Sequence, residues 1–211
     1  MKEDTLAELK DAVTTKEKIM GEAALLFAHK GYVDVSMKEI AERVGIRPSS
    51  IYNHFLKKEE LFGAIVDSIK DVYLSFYDRM DERISTAVCF KDILDSLFVE
   101  LFEVYKIHTY FGVCMISCEQ FRNKKARDVF NHVYIKRGIE YSETMFNACV
   151  EKKWVKPFNT KAFATFFMNN VYVGSLMVTH TAMNNTPAYE PKELWQLIYD
   201  FMLDYVEVIP Q

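Results

Sequence analysis

The sequence predicts an all-α fold, with an N-terminal helix-turn-helix domain followed by a larger C-terminal helical bundle. Three observations predict it. Seven glycines and five prolines are few for 211 residues. Long segments carry apolar residues at helical spacing. Two short early segments each open on a capping box and close on glycine. Half of the residues are apolar and 27% are charged, which is a globular composition. The length suits a small domain joined to a larger one.

The first helix is read from "TTKEKIMGEAALLFAHKGY". Thr14 and Glu17 form a capping box, Ile19, Ala23, Leu26 and Phe27 fall on one face, and Gly31 can take the left-handed position past the end. "VSMKEIAERVGI" repeats the pattern. Ser36 and Glu39 form a second box, Ile40 and Val44 make the buried stripe, and Gly45 supplies the turn. Ala41 is small where two helices must come close. "IRPSSIYNHF", residues 46 to 55, is then a third short helix with Pro48 in its first turn, where a missing N–H costs nothing. Its apolar side is thin, only Ile46, Ile51 and Phe55. Arg47, Ser49, Ser50, Tyr52, Asn53 and His54 must point outward. Two short helices joined by "VGIR" make a helix-turn-helix over about 36–55.

Composition shifts after this point. Four Phe and Tyr residues occur up to position 57, and the remaining 24 lie beyond it with both tryptophans. We therefore place domains at 13–60 and 61–211. The second has a large aromatic core or a large aromatic cavity, built from helices at about 59–80, 91–111, 125–153, 160–183 and 191–208. "AFATFFMNNVYVGSLMVTHTAM" has no formally charged residue and nearly the length of a bilayer span. Asn169 and Asn170 at its centre, with Thr165, Ser175, Thr179 and His180, argue against lipid, which offers those groups no partner. A helix apolar all round is instead buried in protein. A subunit interface shared with "LWQLIYDFMLDYV" explains it, with Gly174 and Ser175 permitting close approach.

Net charge is −4, but it is unevenly spread. Residues 14–58 carry +3 and the remainder −7. Arg47, Lys57 and Lys58 have no acidic residue among them, a small basic patch on an acidic body. The N-terminus reads as charged, without a secretion leader. Cys89, Cys114, Cys118 and Cys149 lack the spacing of a disulfide framework, so reduced thiols and a cytoplasmic location are expected. There is no phosphate-binding glycine loop, nucleophile motif or metal-ligand spacing, and an enzyme, a cofactor or a metal is not expected.

In order, spacing and residue type, "TKEKIMGEAALLFAHKGY", "VSMKEIAERVGI" and "SSIYNHFLKKEELF" resemble the DNA-binding domain of the tetracycline-repressor (TetR) family of bacterial regulators. The resemblance covers Thr15 to about Leu61. It implies a dimeric, ligand-released repressor of a double-stranded DNA operator. It makes residues 46–55 the recognition helix, with Arg47, Pro48, Ser49 and Ser50 at its base-facing end. Arginine donates two hydrogen bonds to guanine, and serine serves several bases. By the same resemblance Tyr52, Asn53, His54 and Lys58 face the DNA, with Tyr52, His54 and Lys58 on phosphates. Ser36 and Lys38 do the same on the opposite backbone. The family often has a small residue then threonine where this chain has Ser49 and Ser50, and a serine cap where it has Lys57. Lys57 thus costs a cap and adds a possible phosphate contact.

The C-terminal helices show no such motif. Their roles come from the resemblance and the aromatic enrichment. The expected homodimer uses about 160–183 and 191–208. The expected small apolar effector has a wall of Phe102, Tyr105, Phe111, Met115, Phe121, Tyr134, Tyr141, Met145, Phe166 and Tyr172, with His108, His132 and Asn169 as polar anchors. Ordinary readings stand beside these. The aromatics can simply fill a core. Without ligand control, the chain is a dimeric DNA binder only. Tyr52 can pack, His54 can cap, and Arg47 can be solvated. Cys114 and Cys118, one turn apart, suit a soft metal, an oxidant or plain burial.

Overall fold

In a computed structural model the structure describes residues 14–104, 107–184 and 191–209. Those residues form helices, with one isolated bridge between Val155 and Val208. The helices are α1 (Thr15–Lys30), α2 (Met37–Val44), α3 (Lys58–Thr86), α4 (Phe90–Val104), α5 (Ile107–Glu119), α6 (Lys124–Val129), α7 (Arg137–Glu151), α8 (Thr160–Asn184) and α9 (Pro191–Tyr205). A 3-10 turn covers Ser50–Asn53, and a π-helical segment, Phe130–Lys136, joins α6 to α7.

The N-terminal elements form for the reasons the sequence supplies. Thr14 accepts the Glu17 amide while the Glu17 carboxylate accepts the Thr14 amide at 2.7 Å, a complete capping box. Ser36 accepts from the Glu39 amide, but the Glu39 carboxylate turns to Lys30 instead, so the second box is only half formed. Gly45 ends α2 at φ 78° and ψ 29°, a left-handed conformation that side chains disfavour. Ile19, Phe27, Ile40, Ala41, Ile51 and Phe55 bury together and hold the three pieces as one core.

Three expectations change. Residues 48–55 do not make an α-helix; Ser49 gives no side-chain cap and the chain tightens into the short 3-10 turn. With so little helix to propagate, its shape rests on burial of Ile51 and Phe55. The helix expected over 91–111 corresponds to α4 and the start of α5, and α5 runs past the expected end to Glu119. Its last turns escape sequence reading because "FGVCMI" is apolar all round and shows no helical period. The helix expected over 125–153 is interrupted by the π segment.

α3 links the two parts. Its 29 residues span about 44 Å at 1.5 Å per residue. Leu61 and Phe62 pack near its start beneath the helix-turn-helix, with Phe62 5.1 Å from Tyr32 and 6.0 Å from Phe27. Tyr73, Phe76 and Tyr77 lie farther along, inside the C-terminal bundle. α5 packs extensively on α1, so the N-terminal domain touches the body twice.

Two substitutions with opposite expected signs test this backbone. Gly45→Ala has room for its Cβ but not the conformation, and a cost of about 1–2 kcal/mol is expected in urea unfolding. Lys153, exposed at the end of α7, is held at φ 57°. Lys153→Gly is expected to raise stability by up to about 1 kcal/mol in the same assay.

Candidate nucleic-acid interface and interior cavity

The outward residues of the helix-turn-helix gather on one surface. Arg47, Pro48, Ser49, Asn53 and Lys57 are exposed, as are Ser36 and Lys38 at the start of α2. Tyr52 is 49% exposed, so its ring is not part of the core. Ser50 and His54 are half-buried. The Ser50 and His54 amides donate to the Arg47 and Ile51 carbonyls, and these bonds set the direction of the turn. The Arg47 and Lys57 side chains make no hydrogen bond or ion pair with a described residue, which leaves their donors available. Lys38 has only a loose pairing with Glu42, 3.7 Å on the same helix face, of little energetic weight when exposed.

Lys58 departs from expectation. Its ammonium donates to the carbonyls of Tyr32, Val33 and Val35 at 2.7, 3.2 and 2.7 Å and sits 4.4 Å from the Tyr32 ring centre. All three N–H donors are thus engaged by the loop after α1, and none is offered to a phosphate. The carbonyls of that loop have no helix to bond to, and a cation on the first turn of α3 satisfies them. Lys57 caps α3 without a side-chain bond, as expected. Glu60, in the first turn of α3, accepts the amide of Leu56 just before the helix at 2.8 Å.

The interior cavity lies between α3, α4, the π segment, α7 and α8. Tyr73, Tyr77, Leu97, Tyr134, Tyr141, Ser142, Met145 and Met168 are among its lining residues. It leaves about 20 Å³, room for roughly one water. The Tyr77 hydroxyl donates to the Val133 carbonyl in the π segment at 3.1 Å, and Tyr141 donates to Asp81 at 2.8 Å. Burial, reinforced by that bond to Asp81, pushes the Tyr141 phenol up, so it stays neutral. Gly138 faces Met168 where α7 meets α8: a Cβ there would lie 2.5 Å from Met168 Cε, so the end of that side chain would have to shift.

Of the expected ligand wall, the structure brings Tyr134, Tyr141 and Met145 together at this cavity. Tyr172 adjoins it, edge-on to Tyr134 at 6.0 Å. The other expected wall residues fall elsewhere. Phe111 faces α1, with its ring 6.2 Å from His29. Met115 is buried but does not line the cavity. Phe121, in the turn after α5, is 80% exposed. His132 is exposed and its ring bonds the Asp128 carbonyl one turn back. Phe166 and Asn169 lie on the outer face of α8. A 3.6-residue period turns such neighbours away from the cavity that Phe167 and Met168 line. Tyr105 and the side chains of Phe102 and His108 lie outside the described residues. Sequence reading missed Tyr73, Tyr77 and Ser142, which only the crossing of α3 and α7 brings to the cavity. It also missed Ser117, buried on α5 beside Tyr172.

A second apolar region lies outside. Phe163, Phe166, Leu197 and Phe201 line a groove of about 220 Å³ between α8 and α9. Phe166, Val173, Phe201 and Tyr205 are 50, 46, 41 and 55% exposed. Gly174, in contrast, is buried within the chain.

Comparison with known proteins agrees with this architecture. Residues 19–65 match the family "Bacterial regulatory proteins, tetR family". The biofilm operon icaADBC negative transcriptional regulator IcaR of Staphylococcus epidermidis is 33% identical over 64 residues, 30% of this chain and 35% of IcaR. The transcriptional regulator UidR of Escherichia coli is 36% identical over 56 residues, 26% of this chain and 29% of UidR. The match thus spans about a third of the length of these curated relatives. The fold match is far longer. The ketosteroid transcriptional regulator KstR2 of Mycobacterium tuberculosis superposes with a TM-score of 0.71 at 18% identity, over 93% of this chain and 96% of that one. A TerR/AcrR-family regulator of Aquifex aeolicus gives 0.65 at 18% identity, over 91 and 99%. Residues 19–65 thus carry the match to the tetR family of bacterial regulatory proteins, and the fold of the chain is shared along nearly its whole length with the solved regulators.

Proposed function

We propose that the chain is a cytoplasmic DNA-binding transcriptional repressor that acts as a homodimer and is released by a small apolar effector. One observation carries the DNA-binding part: Arg47, Ser49, Tyr52, Asn53 and Lys57 stand exposed together on the segment that matches the family's DNA-binding domain. The description of IcaR as a negative regulator supports the sign. Arg47 and Ser49 read bases, Tyr52, His54 and Lys57 hold phosphates, and Ser36 and Lys38 hold the neighbouring backbone. The exposed aromatic groove between α8 and α9 supports dimerisation, because apolar surface of this kind marks an interface.

The cavity supports an uncharged effector. Its lining is apolar and phenolic, with no Asp, Glu, Lys or Arg. Its free volume also favours a second reading, a dimeric DNA binder whose aromatic interior is only core. Under the first reading Met145 and Met168, long and easily repacked, move aside to admit the effector. The effector then displaces α3, the helix shared by cavity and DNA-binding domain, and changes the spacing of the two recognition turns. It must prefer that second conformation, since equal affinity shifts nothing. A screen of small hydrophobic compounds by melting temperature separates the readings. Stabilising compounds that also weaken operator binding support the first, and their absence leaves the second.

Arg47→Ala is expected to weaken the operator more than random DNA, by about 1–3 kcal/mol. Lys57→Ala is expected to weaken both alike and lower the salt slope by about 1. A salt-titrated gel shift reads both; wild-type behaviour of the pair overturns the assignment. Lys58→Ala is expected to lower stability through its carbonyl contacts.

Val173→Asp places a charge on the exposed face of α8. The protein is expected to sediment as a folded monomer, because an interface cannot bury an unpaired charge. A dimer as tight as wild type moves the interface elsewhere.

A further inference from the structure

Cys114 and Cys118 lie one turn apart on α5, so their side chains share a face. Cys118 is exposed and Cys114 is buried next to it. The neighbouring Cys114 thiol is the largest influence on Cys118, drawing its pKa down to about 7 against burial and the charge of Glu119. A large share of Cys118 is then thiolate at neutral pH, the form that bonds soft centres. Cys149 differs: burial pushes its thiol up to about 12.

We propose that Cys114 and Cys118 form a two-thiolate chelating site for trivalent, thiophilic arsenicals. Three features select this chemistry. The two side chains share one helix face a turn apart, which suits the short bite of a pyramidal centre. A linear two-coordinate metal holds its sulfurs on opposite sides and needs them farther apart. A disulfide is disfavoured, because it needs Cβ atoms within about 3.5–4.5 Å and residues one turn apart in an intact helix have theirs at about 5–6 Å. No group of three or more His, Cys, Asp or Glu among the described residues is arranged to hold a metal ion. A centre that brings its own third substituent requires only two. An organoarsenic(III) dihydroxide meets these conditions. Two S–H and two As–O bonds break, two As–S bonds form, and two waters leave with the protons; arsenic stays trivalent and no electrons are transferred.

The site adjoins a contact between the two parts of the chain. Glu119, the next residue, is buried, and its carboxylate accepts the Tyr32 amide at 3.0 Å. The proposal does not depend on DNA binding, and its test does not use DNA. The probe is phenylarsine oxide, added to the full-length protein in a phosphine reductant free of thiols. Intact mass is expected to show one phenylarsenic adduct with two protons lost, and titratable thiols are expected to fall from four to two. A dithiol is expected to strip the adduct, and a monothiol at equal thiol concentration is not. Cys118→Ser and Cys114→Ala should each abolish the adduct, while Cys89→Ser with Cys149→Ser should keep it. Cys118 is exposed, so Cys118→Ser decides the matter if the buried Cys114→Ala does not fold. Failure of wild type to form the adduct, loss of only one thiol, or an unchanged adduct in Cys118→Ser overturns the proposal.

Discussion

The loop between α1 and α2 is held from two sides, and the relation of the helix-turn-helix to the body depends on that grip. From one side Lys58, on the first turn of α3, donates to three carbonyls of residues 32 to 35. From the other, Glu119 at the end of α5 accepts the Tyr32 amide. Both ends of the loop's polar backbone are thereby satisfied by the two helices that run into the C-terminal bundle. An unmet backbone group in such a place would cost about 1–3 kcal/mol. The same two helices therefore tie the bundle to the helix-turn-helix. α2 and the recognition turn are too short to hold a shape alone; they take it from this support and from a small core around Phe27, Ile40 and Phe55.

Within the bundle, the π segment is where regular packing gives way. It brings Phe130 and Tyr134 into a stack at 5.8 Å and sets Tyr134 edge-on to Tyr73 at 5.1 Å. π segments occur often at functional sites. Here the segment forms one wall of the cavity, beside Gly138, whose missing side chain leaves room for the end of Met168. Tyrosines fill the space in pairs, with their hydroxyls on Val133 and Asp81. The cavity is nearly closed in this conformation, and its polar groups are mostly satisfied from within.

The α8–α9 face is the opposite case. Phe163, Phe201 and Tyr205 stack at 5.0 to 6.4 Å, and Phe166 joins Phe201 at 5.2 Å, yet much of this aromatic surface stays uncovered. Stacked rings supply rigid apolar area at little entropic cost. The fold of a protomer does not need that area exposed, so a partner is the natural account of it.

The sequence by itself determined the all-α class, the helix-turn-helix and the outward set on it. Those features are local: a cap, a period of 3.6, a glycine turn and a thin apolar side are written within ten or twenty residues. Thr14, Gly45, Ile51 and Arg47 are all of this kind. Only the tertiary structure decided the rest. Lys58 looked like a phosphate ligand until the loop after α1 came within its reach. Phe121 and His132 looked like cavity residues until the turn and the π segment rotated them outward. Gly174 looked like an approach for a partner, and it is buried within the protomer. Whether an apolar side chain faces a core, a cavity or a subunit depends on which helix crosses it, and that contact is made between residues far apart in the chain. α5 is the clearest instance: apolar on every side, it carries no local sign of which face meets α1 or which residue receives the Tyr32 amide.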